Sequence, residues 1–239
     1  MDLLVSLRLV QTIIGATVAL AALLAPHPGH ADWMWLGGGE TVFDGEYAQM
    51  TALFPFSGSL GSGFVHRYSV SYIGYTYPVG EDTVEAEGWS ATAALGYQIP
   101  VTNGWLGFAA GAAYRNTEFT PPQPDNPQDG SQVVAQLDVD AGRIQDNRWL
   151  YATSISYTPR FRAYWGRARV LRRTGDGSFL GPEFVAHGDR DYDAQQLGLA
   201  LQLNRVMGPL DLVLKAGAKR IRDGDSGAYA GIEFLRHFQ

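Results

Sequence analysis

Charged, amide and aromatic side chains fall at even spacings along much of this chain. Asp138 and Asp140 stand with Gln132 and Gln136, and Arg167, Arg169 and Arg173 stand with Trp165. Glu183 stands with His187, Gln196 with Gln202, Lys215 with Lys219, and Tyr229 with Glu233. In an extended chain such residues share one face. Successive segments then offer opposite charges, Arg167 and Arg169 beside Glu183 and Lys215 beside Glu233. The chemistry open to this set is ion pairing inside a polar interior, where an unpaired charge is costly. A second use is recognition of a ligand that wants ring faces and planar hydrogen-bonding groups together.

The elements that must position these residues read from the positions between them. Leu197, Leu199, Leu201 and Leu203 alternate with Gln196, Gly198, Ala200 and Gln202, and Leu210, Leu212 and Leu214 alternate with Asp211, Val213 and Lys215. A period of two means strands with one greasy face and one different face. About twelve such segments follow one another from Trp33 to the C-terminus. Their second face is Gly, Ala, Ser, Gln and charge, which would make a poor soluble core. A membrane barrel requires this arrangement, with apolar side chains toward lipid and polar or small ones toward the lumen. The fold class is therefore all-β, a transmembrane antiparallel up-and-down barrel of about 12 strands. Trp89 and Tyr97 share a face eight residues apart, as do Trp149 and Tyr157, and each pair marks two aromatic girdles around an apolar band.

Composition agrees. Charged residues are 18% of the 239, with 29 Gly, which suits a tightly curved barrel and its hairpins. Absence of Cys excludes disulfides and thiolate metal sites. A net charge of −6 without a basic tract argues against a nucleic-acid partner. Residues 1–31 read as a signal peptide: Arg8, the apolar run Leu9 to Leu24, and the small-residue site Gly29-His30-Ala31 before Asp32. Residues 32–239 are then one outer-membrane barrel domain. An even strand count puts both termini in the periplasm and the Pro-rich connection around Pro121 to Pro127 outside. The stretch from Pro55 to Gly63 breaks the pattern as a long periplasmic turn, and a strand missed there would invert everything after it.

Catalytic, metal and cofactor sites do not emerge. After residue 31 the histidines are His66, His187 and His237. A barrel hydrolase needs Ser and His within reach on one face, whereas His66 and Ser69 differ by three and fall on opposite faces. His66 is expected in the lumen or near a turn, and His237 at the periplasmic rim. Glu118, Asp125 and Asp129 are loop acids without the pattern of a glycosidase pair. The string Asp189-Arg190-Asp191-Tyr192-Asp193 resembles a calcium loop but has Ala194 and Ala200 where Gly and Glu belong, and reads as solvated loop charge.

Several stretches in order carry a family resemblance. They are Gly58 through Arg67 (GSLGSGFVHR), Ala163 through Arg169 (AYWGRAR), Gly181-Pro182-Glu183 through Gly188-Asp189-Arg190-Asp191-Tyr192, Leu214-Lys215-Ala216-Gly217, and Gly227 through Phe234 (GAYAGIEF). Together they resemble the cellulose biosynthesis protein BcsS family over nearly the whole mature chain. The resemblance implies an outer-membrane barrel associated with bacterial cellulose production and brings no catalytic residues. Its candidate partners are outer-membrane lipids, a cellulose chain and the cellulose-secretion machinery. With a glucan in view, the inward set Asp138, Asp140, Trp165, Arg167, Arg169, Glu183, Gln196, Lys215, Tyr229 and Glu233 has two readings. It is a paired network that fills a small lumen, or it lines a path or resting site for the polymer. A lipid-modifying barrel enzyme and a general porin are the alternatives from other classes.

Overall fold

Apolar alternation over segments of ten or more residues leaves each strand with one face that water cannot solvate cheaply and no helix to cover it. Closing the sheet on itself turns that face to lipid and satisfies every strand edge. The computed structural model, which describes residues 32–79, 82–190, 192–222 and 224–238, shows this solution. The residues expected to form a signal peptide lie outside those described. Twelve antiparallel strands close into one barrel. They are β1 (Trp33–Val42), β2 (Gly45–Pro55), β3 (Gly63–Val79), β4 (Asp82–Val101), β5 (Gly104–Thr120) and β6 (Gly130–Gln145). The second half is β7 (Trp149–Thr158), β8 (Ala163–Gly175), β9 (Ser178–Gly188), β10 (Asp193–Met207), β11 (Leu210–Ile221) and β12 (Ser226–Phe238).

Each strand pairs with its sequence neighbour, and β12 returns to β1 with Trp33 opposite Phe238 and Val42 opposite Tyr229. The long turn at residues 56–62 is real and holds no strand, so the expected count and parity stand. At the end opposite the termini the β5–β6 connection spans 121–129, whereas the connections 176–177 and 208–209 at the terminal end are tight. Apart from the turn at 56–62, the terminal end carries only turns of two or three residues, and the longest connection lies at the other end, where an outer-membrane barrel has its outside loops.

Register settles which way each side chain points, because directly opposed residues share a face. The Leu197, Leu199 and Leu201 row and the Leu212 and Leu214 row face outward, with Leu197 65% exposed. Trp89, Leu95 and Tyr97 on β4 and Trp149, Ile155 and Tyr157 on β7 are exposed on the same outer face. Both aromatic pairs thus lie where girdles are expected. The stacked Trp33 and Phe238 rings, 3.8 Å apart, sit at the terminal end of the β1–β12 seam.

A lipid bilayer needs only about ten residues of a tilted strand. β3, β4 and β5 have 17, 20 and 17 residues. Their surplus lies at the long-loop end, where the outward residues turn polar as Glu85, Glu87, Asn116 and Glu118. The inward residues there are Tyr75, Tyr77, Val84, Ala86 and Phe119, which pack together. The three long strands therefore raise a wall with an aromatic inner lining above the membrane.

Candidate functional site in the barrel lumen

Every member of the ten-residue set read from alternation points into the lumen. The reason is local: each lies an even number of positions from a lumen neighbour and an odd number from a lipid-facing one.

Glu233 of β12 is the hub. It accepts hydrogen bonds from Arg167 at 2.8 Å and from Arg169 at 2.7 and 2.9 Å, and its carboxylate lies 3.2 Å from the Lys215 ammonium. Arg169 also bonds Glu183, its register partner across β8 and β9. Lys215 reaches Glu40 at 2.7 Å, and the Gln196 amide donates to Glu40 at 2.6 Å. Three cations thus meet three carboxylates, Glu40, Glu183 and Glu233, and the cluster is formally neutral. Glu183 is fully buried and Arg169 is 5% exposed. Such a pair is tolerable in a low-dielectric interior only because both partners are hydrogen-bonded.

A second cluster holds the opposite wall. Arg67 of β3 pairs with Asp140 and approaches Asp138 at 4.0 Å. The Gln136 amide donates to Asp138 at 3.1 Å, and the Ser154 hydroxyl donates to Asp140 at 2.5 Å. β3 and β6 are three strands apart, so this pair also leans across the interior.

Three glycines make the first cluster fit. Gly231 lies between Lys215 and Glu40 in the register of β11, β12 and β1. A Cβ there would come within 2.6 Å of Lys215 Cε, so only Gly lets the lysine stem pass over β12 to β1. Gly198 and Gly217 occupy the row between Glu183 and Tyr229, and the Tyr229 ring lies over them.

The structure departs from expectation at Arg167, at His66 in part, and in the Asp189 to Asp193 string. Arg167 does not pair with Glu183; its register partner is Val185, and its guanidinium crosses to Glu233 instead. Its face also lies over Trp165, 5.6 Å from the ring centroid. Of its two expected places, His66 takes the one near a turn and not the lumen. It faces outward and stacks on Phe56 at 3.9 Å. The Asp189 to Asp193 string is not simply solvated: Asp189 accepts from Gln128 at 2.6 Å and Asp193 accepts from the Tyr164 hydroxyl at 2.9 Å. Its Asp191 lies outside the described residues. Among those described, no group of His, Asp and Glu is arranged to hold a metal ion.

Glu40, Arg67 and Asp44 join the ion pairs without belonging to the inward set expected from the sequence. Arg67 had a signal, since it shares its face with Ser69 and Ser71. Glu40 had a weaker one, at an even step from Gly38 near the end of β1. Asp44, in the β1–β2 turn, had none; it meets Lys219 at 2.8 Å only because the barrel closes.

A closed antiparallel barrel with a lipid-facing outer surface and a polar, ion-paired interior defines an outer-membrane β-barrel protein. Solved barrels agree in fold. An outer-membrane channel from Pseudomonas putida F1 superposes with a TM-score of 0.53 at 10% identity, covering 90% of this chain and 100% of that one. The β domain of the Bordetella autotransporter BrkA gives 0.50 at 12% identity, covering 87% and 99%. Among curated proteins none matches significantly. The model of the cellulose biosynthesis protein BcsS family matches residues 34–238, and the chain belongs to that family. It is thus an outer-membrane barrel linked to cellulose synthesis.

Proposed function

We propose that this barrel acts without catalysis in the secretion or surface organisation of cellulose, and that its charged lumen is structural fill rather than a conduit. Membership of the cellulose biosynthesis family carries the first part. The contact of Arg167 with Glu233 carries the second, because β8 and β12 stand four steps apart on the ring and the pair spans the interior between them. A polymer threading the lumen would have to break that contact together with those of Arg169 and Lys215. The lack of a catalytic role is supported by His66 and Ser69, which face lipid and lumen respectively. On this reading the partners are outer-membrane lipids, the cellulose chain at the cell surface and the secretion machinery. The expected signal peptide delivers the chain to them.

A deletion strain tests the proposal. Loss or disorder of cellulose with unchanged lipid A is the expected result. Altered lipid species would replace it with a lipid-modifying enzyme, and altered solute uptake alone with a general porin.

A further inference from the structure

Five half-buried rings form a line across the long-loop mouth of the barrel. Trp165 of β8 stands opposite His187 of β9. His187 lies 5.6 Å from Tyr192 in the β9–β10 loop, Tyr192 lies 6.5 Å from Tyr75 of β3, and Tyr75 lies 5.8 Å from Tyr77. β9 and β3 are six steps apart on a ring of twelve, so the line crosses the mouth along a diameter. The separations among His187, Tyr192, Tyr75 and Tyr77 are comparable to the span of one pyranose.

The line is held in place from below and from both sides. Tyr75 and Tyr77 rest on the packed cluster of Val84, Ala86 and Phe119. Lys219 sits 5.6 Å from the Tyr192 ring centroid and is anchored by Asp44 at 2.8 Å. On the far side Arg115, whose guanidinium lies over Phe161 at 5.2 Å from its centroid, carries its charge near Tyr75. Burial, with the Asp44 charge adding to it, pushes the Tyr192 phenol up, so this loop residue stays a neutral hydrogen-bonding group.

We propose that this aromatic line is a docking site for a neutral β-glucan chain lying across the mouth, not passing through it. Rings offer faces to the C–H surfaces of the sugars, and the phenols, Arg115 and Lys219 offer hydrogen bonds to hydroxyls. Lys219 is paired with Asp44, and Asp189 lies near enough to Arg115 to offset its charge, so the site has no excess charge to select an acidic polymer. Rings already held by neighbours lose little freedom on binding, which favours affinity. The assignment of a glucan rests on the cellulose role proposed above.

The test uses the barrel extracted from outer membranes in detergent and titrated calorimetrically with cellohexaose and with maltohexaose. Cellohexaose should bind in preference to maltohexaose. Tyr75→Ala and Tyr192→Ala should each weaken binding about tenfold or more, equivalent to about 1.4 kcal/mol. Tyr192→Phe, which keeps the ring, should bind nearly as the natural protein does, and all variants should keep heat-modifiable migration. Absence of cellohexaose binding by the natural protein, equal binding of both sugars, or unchanged affinity in well-folded Tyr75→Ala and Tyr192→Ala would each overturn the proposal. Failure here is separable from failure of the broader role. Cellulose lost on deletion with no cellohexaose binding removes the site and keeps the role. Cellohexaose bound by a barrel whose deletion leaves cellulose unchanged removes the role and keeps the site.

Discussion

Arg169 and Glu183 oppose each other in the register of β8 and β9 and share a hydrogen bond in a part of the lumen that water hardly reaches. Removing one partner leaves a charge there without its counter-ion. Arg169→Ala should therefore destabilise the barrel by about 3–5 kcal/mol. The double change Arg169→Met with Glu183→Gln should cost less than the sum of its single changes. Urea unfolding of the barrel in lipid vesicles measures both; strict additivity would show that the two are not coupled.

The cross-lumen contacts should hold the pore nearly shut. The natural barrel is expected to give low conductance in planar bilayers. Replacing Arg167, Lys215 and Glu233 together with Ser removes the bridge while keeping the formal charge change to one unit. That variant should conduct measurably more. Large conductance in the natural barrel would contradict the structural reading of the lumen.

Gly231→Val should prevent Lys215 from reaching Glu40, because a side chain there would occupy the path of the lysine stem. The expected result is less heat-modifiable barrel in the outer membrane. Gly166→Ala in β8, where a Cβ would meet nothing nearer than 3.9 Å, serves as the control and should assemble much more nearly normally.

Lipid-facing and lumen-facing positions on one strand should respond differently to charge. Leu199, 58% exposed on the outer face of β10, should lose about 2–4 kcal/mol of folding stability as Leu199→Arg if it lies near the bilayer midplane. Gln202→Arg, inward on the same strand, should cost clearly less. Equal costs would mean that the assigned faces are wrong.

An epitope inserted near Asp125, in the β5–β6 loop, should be labelled on intact cells, whereas one near Asp176, in the β8–β9 turn, should not. Labelling at Asp176 would invert the orientation and place the aromatic line in the periplasm.

The alternation of Leu197 through Leu203 with Gln196 through Gln202 was enough to assign faces, because side-chain direction in a strand depends only on the parity of position. The turns near Asp176 and the Pro-rich stretch near Pro124 set the strand count and hence the closed ring. Pairings between hairpin neighbours were legible for the same reason: Arg169 with Glu183 and Lys215 with Glu233 are one strand apart. Distance across the interior was not. Arg167 finds Glu233, Lys215 finds Glu40 and Arg67 finds Asp140 only after the sheet curves and β1 meets β12. Parity says which way a side chain points, but barrel curvature and strand stagger decide what stands opposite it. The same closure carries Tyr192 over to Tyr75, two rings far apart in sequence that meet because a loop from one wall leans across to a strand that outgrows the membrane on the other.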